Sequence, residues 1–600
     1  MLKFEDYISD LPDLHYQNFA HLVEYTSKEF AANDAVLFRS GSNRKFLRWS
    51  FSVFGDECRR IARGLLAAGL VKGDRVVLWA ENRPEWMAVW MGTLIAGISI
   101  VPVDFLLTEQ ECLNIIKLTN AKAFFYSGRK KEFAYSLASC GVSLNASVCI
   151  SSRNDDAFDC ETEFYKFGMN ADSQELPAYD SISPDHPASI VFTSGTTGFA
   201  KGVVLSHKNI IANASAAIRI LEPNSNDVFV DVLPLHHTYP TTCSFIAPLA
   251  IGVPVVIVEK IVGKVVVDDI RDAGATFLIG VPLLYDKVMA AIQTNYQKIL
   301  PFIRGPINIL RKIALVKARK GNPKWGQKVL KFIRRKAGLQ SIRIMVAGGG
   351  PLHITTADFF DSFGFNIVQG YGMSENAPLI SVNTPRHKNN ESVGLPVSYT
   401  EIKIIDTVSD ETDTYNGTQE VNASAKNAPI IGEIACKSPS VMLGYFENEE
   451  ATKEVITEDG YLLTGDIGYL DARGFLFIKG RKKNLIVSSS GKNVYPEEIE
   501  TRFVSSRVIA EVLVVGRKSA GSEIIYAVFV PNYENLKIDY PENEINDDFI
   551  KTLIKKEVDD VNRSLPVYKK VSDFCVRKEP FEMNAQQKIK RFLYKSYENQ

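Results

Sequence analysis

The sequence predicts an α/β protein: a large N-terminal domain of mixed and parallel sheets flanked by helices, a small β subdomain, and a small α+β C-terminal domain. Three observations carry that prediction. Over the first half, short β-rich runs alternate with helical patterns, as parallel strands joined by helical crossovers require. After about residue 395 the texture changes to shorter strands punctuated by turn residues. At 600 residues with 46% hydrophobic content, the chain is also too long for one core and divides into several packed units.

Taken in order, "DRVVLWA" (Asp74–Ala80) reads as a strand, "PEWMAVWMGTLIAG" (Pro84–Gly97) as a helix and "ISIVPV" (Ile98–Val103) as a strand. "LTEQECLNIIKLTN" reads as a helix opened by a capping box, with Thr108 at the N-cap and Glu111 three residues on. "AKAFFYS" follows as a strand, and the pattern recurs at "VFVDVLPL", "GVPVVIVE", "ATFLIGVP" and "IRIMVAGGG". Ser409–Pro429 is polar and poor in apolar residues, an exposed excursion. "FLFIKGRKKNLIVSSSGKNVYPEEIE" then gives strand, basic turn, strand, glycine turn and helix start. "EVLVVG" and "IIYAVFV" supply strands for a last domain. The boundary is placed at Arg481–Lys483, dividing the chain into residues 1–480 and 481–600.

A formal net charge of −1 and a pI near 6.7 exclude a global pull toward nucleic acid. Eight scattered cysteines without a CxxC pair suit a reducing compartment. The N-terminal stretch is acidic and has no apolar signal core, so the expected location is cytoplasmic. One local imbalance stands out. Between Asp286 and Asp358 there is no acidic residue, yet 15 Lys and Arg. Apolar residues interleave with these bases at helical spacing, most densely from Arg311 to Leu339, a run that includes Arg334, Arg335 and Lys336. The segment Ile299–Leu339 therefore reads as a basic amphipathic surface. A solvated helical face, a membrane surface and an anionic cofactor tail are its three candidate uses.

The stretch "VFTSGTTGFAKGVVLSH" (Val191–His207) concentrates glycines, hydroxyls and one lysine. Thr193, Ser194, Gly195, Thr196, Thr197, Gly198 and Lys201 have the chemistry of a polyphosphate cradle: close backbone approach, hydrogen-bond donors and a point charge. It is not a Walker A loop, because Lys201 is preceded by Ala200 and followed by Gly202.

This stretch closely resembles the phosphate-binding signature of the adenylate-forming superfamily, and that family's further motifs follow in order across nearly the whole chain. "LPLHHTYP" resembles its histidine motif, which implies that His237 lies near the carboxylate and acyl chain. "VAGGGPL" resembles the glycine-rich strand end, with Gly349 and Gly350 against adenine. "VQGYGMSENAP" resembles the Y-G-x-T/S-E motif. The resemblance implies nucleotide contacts for Gln369, Gly370, Tyr371, Gly372 and Ser374, and Mg2+ on Glu375. Through "GYLLTGDIGYLDARGFLFIKGRKKNLI" it implies that Asp466 and Arg481 hold the ribose and phosphate region. Lys483 falls at the family's domain hinge, so the C-terminal domain is expected to be mobile, and Gly491 on the loop lining the CoA tunnel. "PFEMNAQQKIKR" aligns Lys588 with the terminal catalytic lysine, although Gln586 and Gln587 replace the Ser/Thr and Gly that usually precede it.

The implied chemistry is attack of a carboxylate on the α-phosphorus of ATP, giving acyl-AMP and pyrophosphate, then transfer of the acyl group to the thiol of CoA. Lys588, His237 and Glu375 are the implied catalytic residues, and ATP, Mg2+ and CoA the cofactors and co-substrates. "SENAPLISVN", "VMLGYFENEEATKEV" and the basic segment resemble long-chain fatty acyl-CoA synthetases most closely. In that group the basic region implies peripheral contact with the cytoplasmic face of a membrane. A fatty acyl-AMP ligase, an acyl-carrier-protein synthetase and a non-catalytic acyl-adenylate binder remain alternatives.

Overall fold

The computed structural model describes residues 9, 11–39, 45–150, 161–193, 201–258, 262–405, 429–487, 492–504, 506–519, 522–542, 545–583 and 589–599. Two large sheets dominate. The first has seven strands in the spatial order Gly444–Tyr445, Lys201–Ser206, Pro187–Thr193, Ser99–Pro102, Arg75–Trp79, Ala123–Ser127 and Ala146–Ile150. Its last five strands pair in parallel, and Pro187–Thr193 and Lys201–Ser206 form an antiparallel hairpin. The second has nine strands, with a parallel centre that includes Phe229–Asp231, Phe277–Gly280, Ile344–Ala347 and Ile367–Gly372. The α/β class expected from the alternation is the one observed.

The helices follow their sequence signals. Pro84–Ile95 starts with proline at its first turn, and all twelve of its residues are buried, as expected of a helix apolar on every side. Glu109–Leu118 opens with the expected capping box: Thr108 Oγ1 accepts from Glu111 N at 3.3 Å, and Thr108 N donates to Glu111 Oε2 at 2.8 Å. No helix among the described residues is long and apolar enough to cross a membrane.

A four-stranded antiparallel sheet follows, in the order Glu401–Ile405, Gly432–Lys437, Leu462–Leu470 and Leu476–Arg481. Its first two strands are in register from Glu401↔Lys437 to Ile405↔Glu433. Most of the polar excursion expected at Ser409–Pro429 lies outside the described residues. The turn Lys482–Asn484 leads into the C-terminal unit, where strands Ile509–Ser519, Ser522–Pro531 and Asp573–Val576 form a sheet packed by helix Asp547–Ser564. Among the described residues six cysteines are free thiols, whereas Cys149 is disulfide-bonded, a departure from the expected reduced set.

The basic segment forms helices Pro301–Arg319, Pro323–Val329 and Lys331–Lys336. On the first, Ile307, Ala314 and Ala318 face the core. The opposite stripe, Phe302, Ile309, Ile313 and Val316, is exposed, with Phe302 at 72%. At 100° per residue Lys312 and Lys317 flank that stripe on its two sides. Arg334 corrects the sequence grouping. It is buried, its guanidinium donates to the carbonyl of Ile342 and lies 5.0 Å from the Phe365 ring, and burial lowers its pKa to about 10. A side chain long enough to reach a carbonyl across a turn is indistinguishable, in sequence, from its exposed neighbours.

Candidate active site

The parallel strands of the nine-stranded sheet deliver their C-terminal ends to one region, where open α/β sheets bind ligands. Thr193 and Lys201 face each other at the end of their hairpin, with Thr193 Oγ1 donating to Lys201 O at 3.4 Å. They bracket the cradle whose Ser194, Gly195, Thr196, Thr197 and Gly198 lie outside the described residues. Beside this hairpin, strand Gly444–Tyr445 pairs antiparallel with Val204 and Val203. That pairing brings the Tyr445 ring to 4.8 Å from Lys201 Nζ. Tyr445 Oη in turn donates to Glu375 Oε1 at 2.8 Å. Burial first, then the Glu375 charge, raises the Tyr445 pKa well above the usual phenol range, so the hydroxyl remains a donor.

Glu375 is fixed by more than its side chain. It lies in the turn Ser374–Asn376, directly after strand Ile367–Gly372. Met442 N donates to Glu375 O at 2.8 Å, and Asn213 Nδ2 donates to Asn376 O at 3.0 Å. Thr238 Oγ1 donates to Ser374 Oγ at 3.3 Å, joining this turn to the histidine motif. Gly372 has no room for a side chain: a Cβ there would sit 2.0 Å from Pro378 O. Among the described residues no hydrogen bond reaches the second carboxylate oxygen of Glu375. A hard oxygen donor held from behind and open in front fits a magnesium ion.

At the other end of this strand's neighbourhood, Tyr371 Oη donates to Asp466 Oδ2 at 2.6 Å, and Arg481 Nε meets Asp466 Oδ1 at 2.8 Å. Register explains the meeting, because Asp466 and Arg481 are direct cross-strand partners. Gln369 and Gly370 lie on the buried part of the same strand as Tyr371. Gly349, at φ +78°, and Gly350 follow the end of strand Ile344–Ala347. Tyr239, two residues after His237, donates from Oη to Val346 O at 3.2 Å and so packs the histidine motif on that strand end.

His237 precedes a helix that begins at Thr238 and continues as π-helix over Thr241–Ile246, a form enriched at functional sites. Burial holds the His237 imidazole below its usual pKa and the neighbouring His236 well below it, so both rings are neutral. Lys483 sits in the turn Lys482–Asn484 between the four-stranded sheet and the C-terminal unit. Partial desolvation, then repulsion from Arg481 and Arg591, lower its pKa. Gly491 and Lys588 lie outside the described residues. The bridge Met583↔Ile589 and the pairing of Arg591 with Glu500 fix the chain on the two sides of Lys588.

Residues 24–446 match the model of the AMP-binding enzyme family, and residues 483–600 match that of the AMP-binding enzyme C-terminal domain. The chain belongs to the AMP-binding enzyme family. It is 27% identical over 582 residues to the peroxisomal long chain acyl-CoA synthetase 7 of Arabidopsis thaliana, covering 94% of this chain and 80% of that one. Among solved structures, it resembles the anthranilate CoA ligase AuaEII in complex with anthranoyl-AMP, with TM-score 0.75, 20% identity, and 98% of each chain covered. It also resembles the O-succinylbenzoate coenzyme A synthetase MenE from Bacillus subtilis in complex with ATP and magnesium ion. There the TM-score is 0.70 and the identity 22%, over 95% of this chain and 98% of that chain. These AMP-binding relatives act on different acids, so the family fixes an acid–CoA ligase chemistry more firmly than its acid.

Two residues of this AMP-binding enzyme's site escaped the sequence reading. Tyr445 lies inside "VMLGYFENEEATKEV", a stretch noticed for its resemblance but given no role. Asp104 follows strand Ser99–Pro102 and places Oδ2 at 3.6 Å from His236 Nε2. Nothing local marks either one, because each acts across a long sequence separation.

Proposed function

We propose that the protein activates a long-chain fatty acid as acyl-AMP, with release of pyrophosphate, and then transfers the acyl group to CoA. The observation that carries this reading is two polar constellations built from three sheets, one on each side of Gly372: one on Tyr371 and the other on Glu375. Tyr371, Asp466 and Arg481 suit a ribose and its phosphate, and Lys201, Tyr445 and Glu375 suit the far phosphates. In this reading Asp466 accepts from the ribose hydroxyls and Arg481 neutralises phosphate charge. Lys201 and the cradle Thr193–Gly198 hold the pyrophosphate portion. Glu375 would hold Mg2+, which when bound supplies positive charge against the phosphate oxygens. His237, neutral and half-buried, lies against the acid.

Lys588 is assigned to the first step, where both reactants are anionic and a positioned cation lowers the barrier. The thiol step needs that lysine withdrawn, and Lys483, in the turn Lys482–Asn484, is assigned as the hinge on which the C-terminal unit turns. Lys588→Ala is expected to abolish fatty-acid-driven ATP–pyrophosphate exchange while sparing thioester formation from supplied acyl-AMP. Equal loss of both removes the assignment. CoA-dependent AMP release separates a CoA ligase from an acyl-AMP ligase.

The substrate class is supported by the long-chain relative and by the surface of helix Pro301–Arg319. An exposed apolar stripe flanked by lysines suits the interface of an anionic bilayer, where fatty acids partition, and so a cytoplasmic, membrane-peripheral location. Lys312→Glu with Lys317→Glu is expected to cut sedimentation with phosphatidylserine-containing vesicles at least tenfold. Unchanged sedimentation counts against the membrane role.

A further inference from the structure

Asp104, His236 and His237 each place one donor atom within 4.8 Å of the others. His236 Nε2 is buried and has no hydrogen-bond partner, and its side chain is 10% exposed. A buried polar atom without a partner points to an ion or water at the site. Its distance to Asp104 Oδ2, 3.6 Å, is too long for a hydrogen bond. It is close to the edge of about 3.3 Å that two ligands at ~2.0 Å make on a tetrahedral ion.

The carboxylate is already aimed. Leu106 N donates to Asp104 Oδ1 at 2.9 Å, while Trp79 Nε1 and Leu107 N hold the Asp104 carbonyl at 2.8 and 3.0 Å. Fixing one oxygen turns the other toward His236, the kind of outer support that orients metal ligands. Two imidazoles and one carboxylate form a donor set suited to zinc rather than to magnesium.

We propose that Asp104, His236 and His237 bind a divalent transition ion of the zinc class, at a site separate from Glu375. Three protein ligands leave a fourth position open to water or to a carboxylate. Asp104 and His237 are only partly buried, so the position is reachable from the cleft. Ligation would engage His237, so the ion and the acid compete for the same imidazole unless the acid itself takes the fourth position.

The test uses the full-length protein after chelator treatment, with Zn2+ measured by equilibrium dialysis and Co2+ by its visible absorption. One ion per chain with a tetrahedral Co2+ spectrum is expected. Its affinity should fall at least tenfold in Asp104→Asn and in His236→Ala, and persist in Glu375→Gln. Asp104→Asn keeps the shape of the side chain and covers the case in which His236→Ala fails to fold. The absence of a bound ion, or one that survives Asp104→Asn, overturns the proposal. So does one lost only in Glu375→Gln. None of these readouts depends on acyl transfer, so failure here leaves the proposed reaction standing.

Discussion

In the proposed nucleotide site, the ribose end and the metal end are built differently. At the ribose end, Asp466 is buried, takes a hydroxyl from Tyr371 and a guanidinium from Arg481, and is fixed by cross-strand register. At the metal end, Glu375 is held on one oxygen by Tyr445, and Lys201 touches that same tyrosine only through its ring. The first end is held by two side-chain partners and by register; the second keeps an acceptor oxygen and a cation in reserve. In the proposed reaction the nucleoside does not change, whereas the pyrophosphate must leave. More partners where the nucleoside would stay and fewer where the pyrophosphate would depart match that division.

The comparison breaks most visibly at the ribose end. Asp466→Ala strands Arg481 and Tyr371 together, and kcat/KM for ATP is expected to drop by roughly 10³-fold, about 4 kcal/mol. A loss no greater than at the other end would erase the distinction. Tyr445→Phe removes one hydrogen bond from Glu375 but keeps the ring beside Lys201. A drop of about tenfold is expected, corresponding to about 1.4 kcal/mol, together with a raised Mg2+ requirement in pyrophosphate exchange. An unchanged Mg2+ dependence would deny Tyr445 its positioning role.

A third carboxylate sharpens the contrast without touching the rate. Asp231 is buried at the end of strand Phe229–Asp231, takes the side-chain amide of Asn82 at 2.7 Å and a backbone hydrogen bond from Leu233, and has one oxygen without a partner. Burial raises its pKa to about 8. The folded chain therefore keeps this proton between about pH 4 and pH 8 while the unfolded chain releases it. Over that window the group's contribution to stability falls as pH rises, by about 1.4 kcal/mol per unit for one proton. Asp231→Asn should remove this slope in thermal unfolding across pH 5 to 8, with little change in activity near neutrality. An identical slope in the variant would show that Asp231 does not carry it.

The sequence made the architecture legible because its signals are local. The alternation of strands and helices, the Thr108–Glu111 capping box and the order of the motifs can all be read within a few dozen residues. Arg481 opposite Asp466 was also within reach, since a short hairpin joins their strands. What escaped depends on distant pairing. Tyr445 meets Glu375 only because its two-residue strand docks on the edge of the seven-stranded sheet. Asp104 meets His236 only because the two sheets pack with those ends together. Arg334 was misgrouped for the same reason, since its partners Ile342 and Phe365 are brought up by the tertiary fold.

The hairpin of Glu401–Ile405 and Gly432–Lys437 has a practical meaning. Its strands stay in register up to the point where residues 406–428 intervene, so the sheet itself closes the chain there. Replacing that segment with a short glycine-containing turn would leave every pairing on both strands intact. An inserted reporter at the same junction would have to leave Glu433 in place, because it lies opposite Ile467 on the neighbouring strand that carries Asp466.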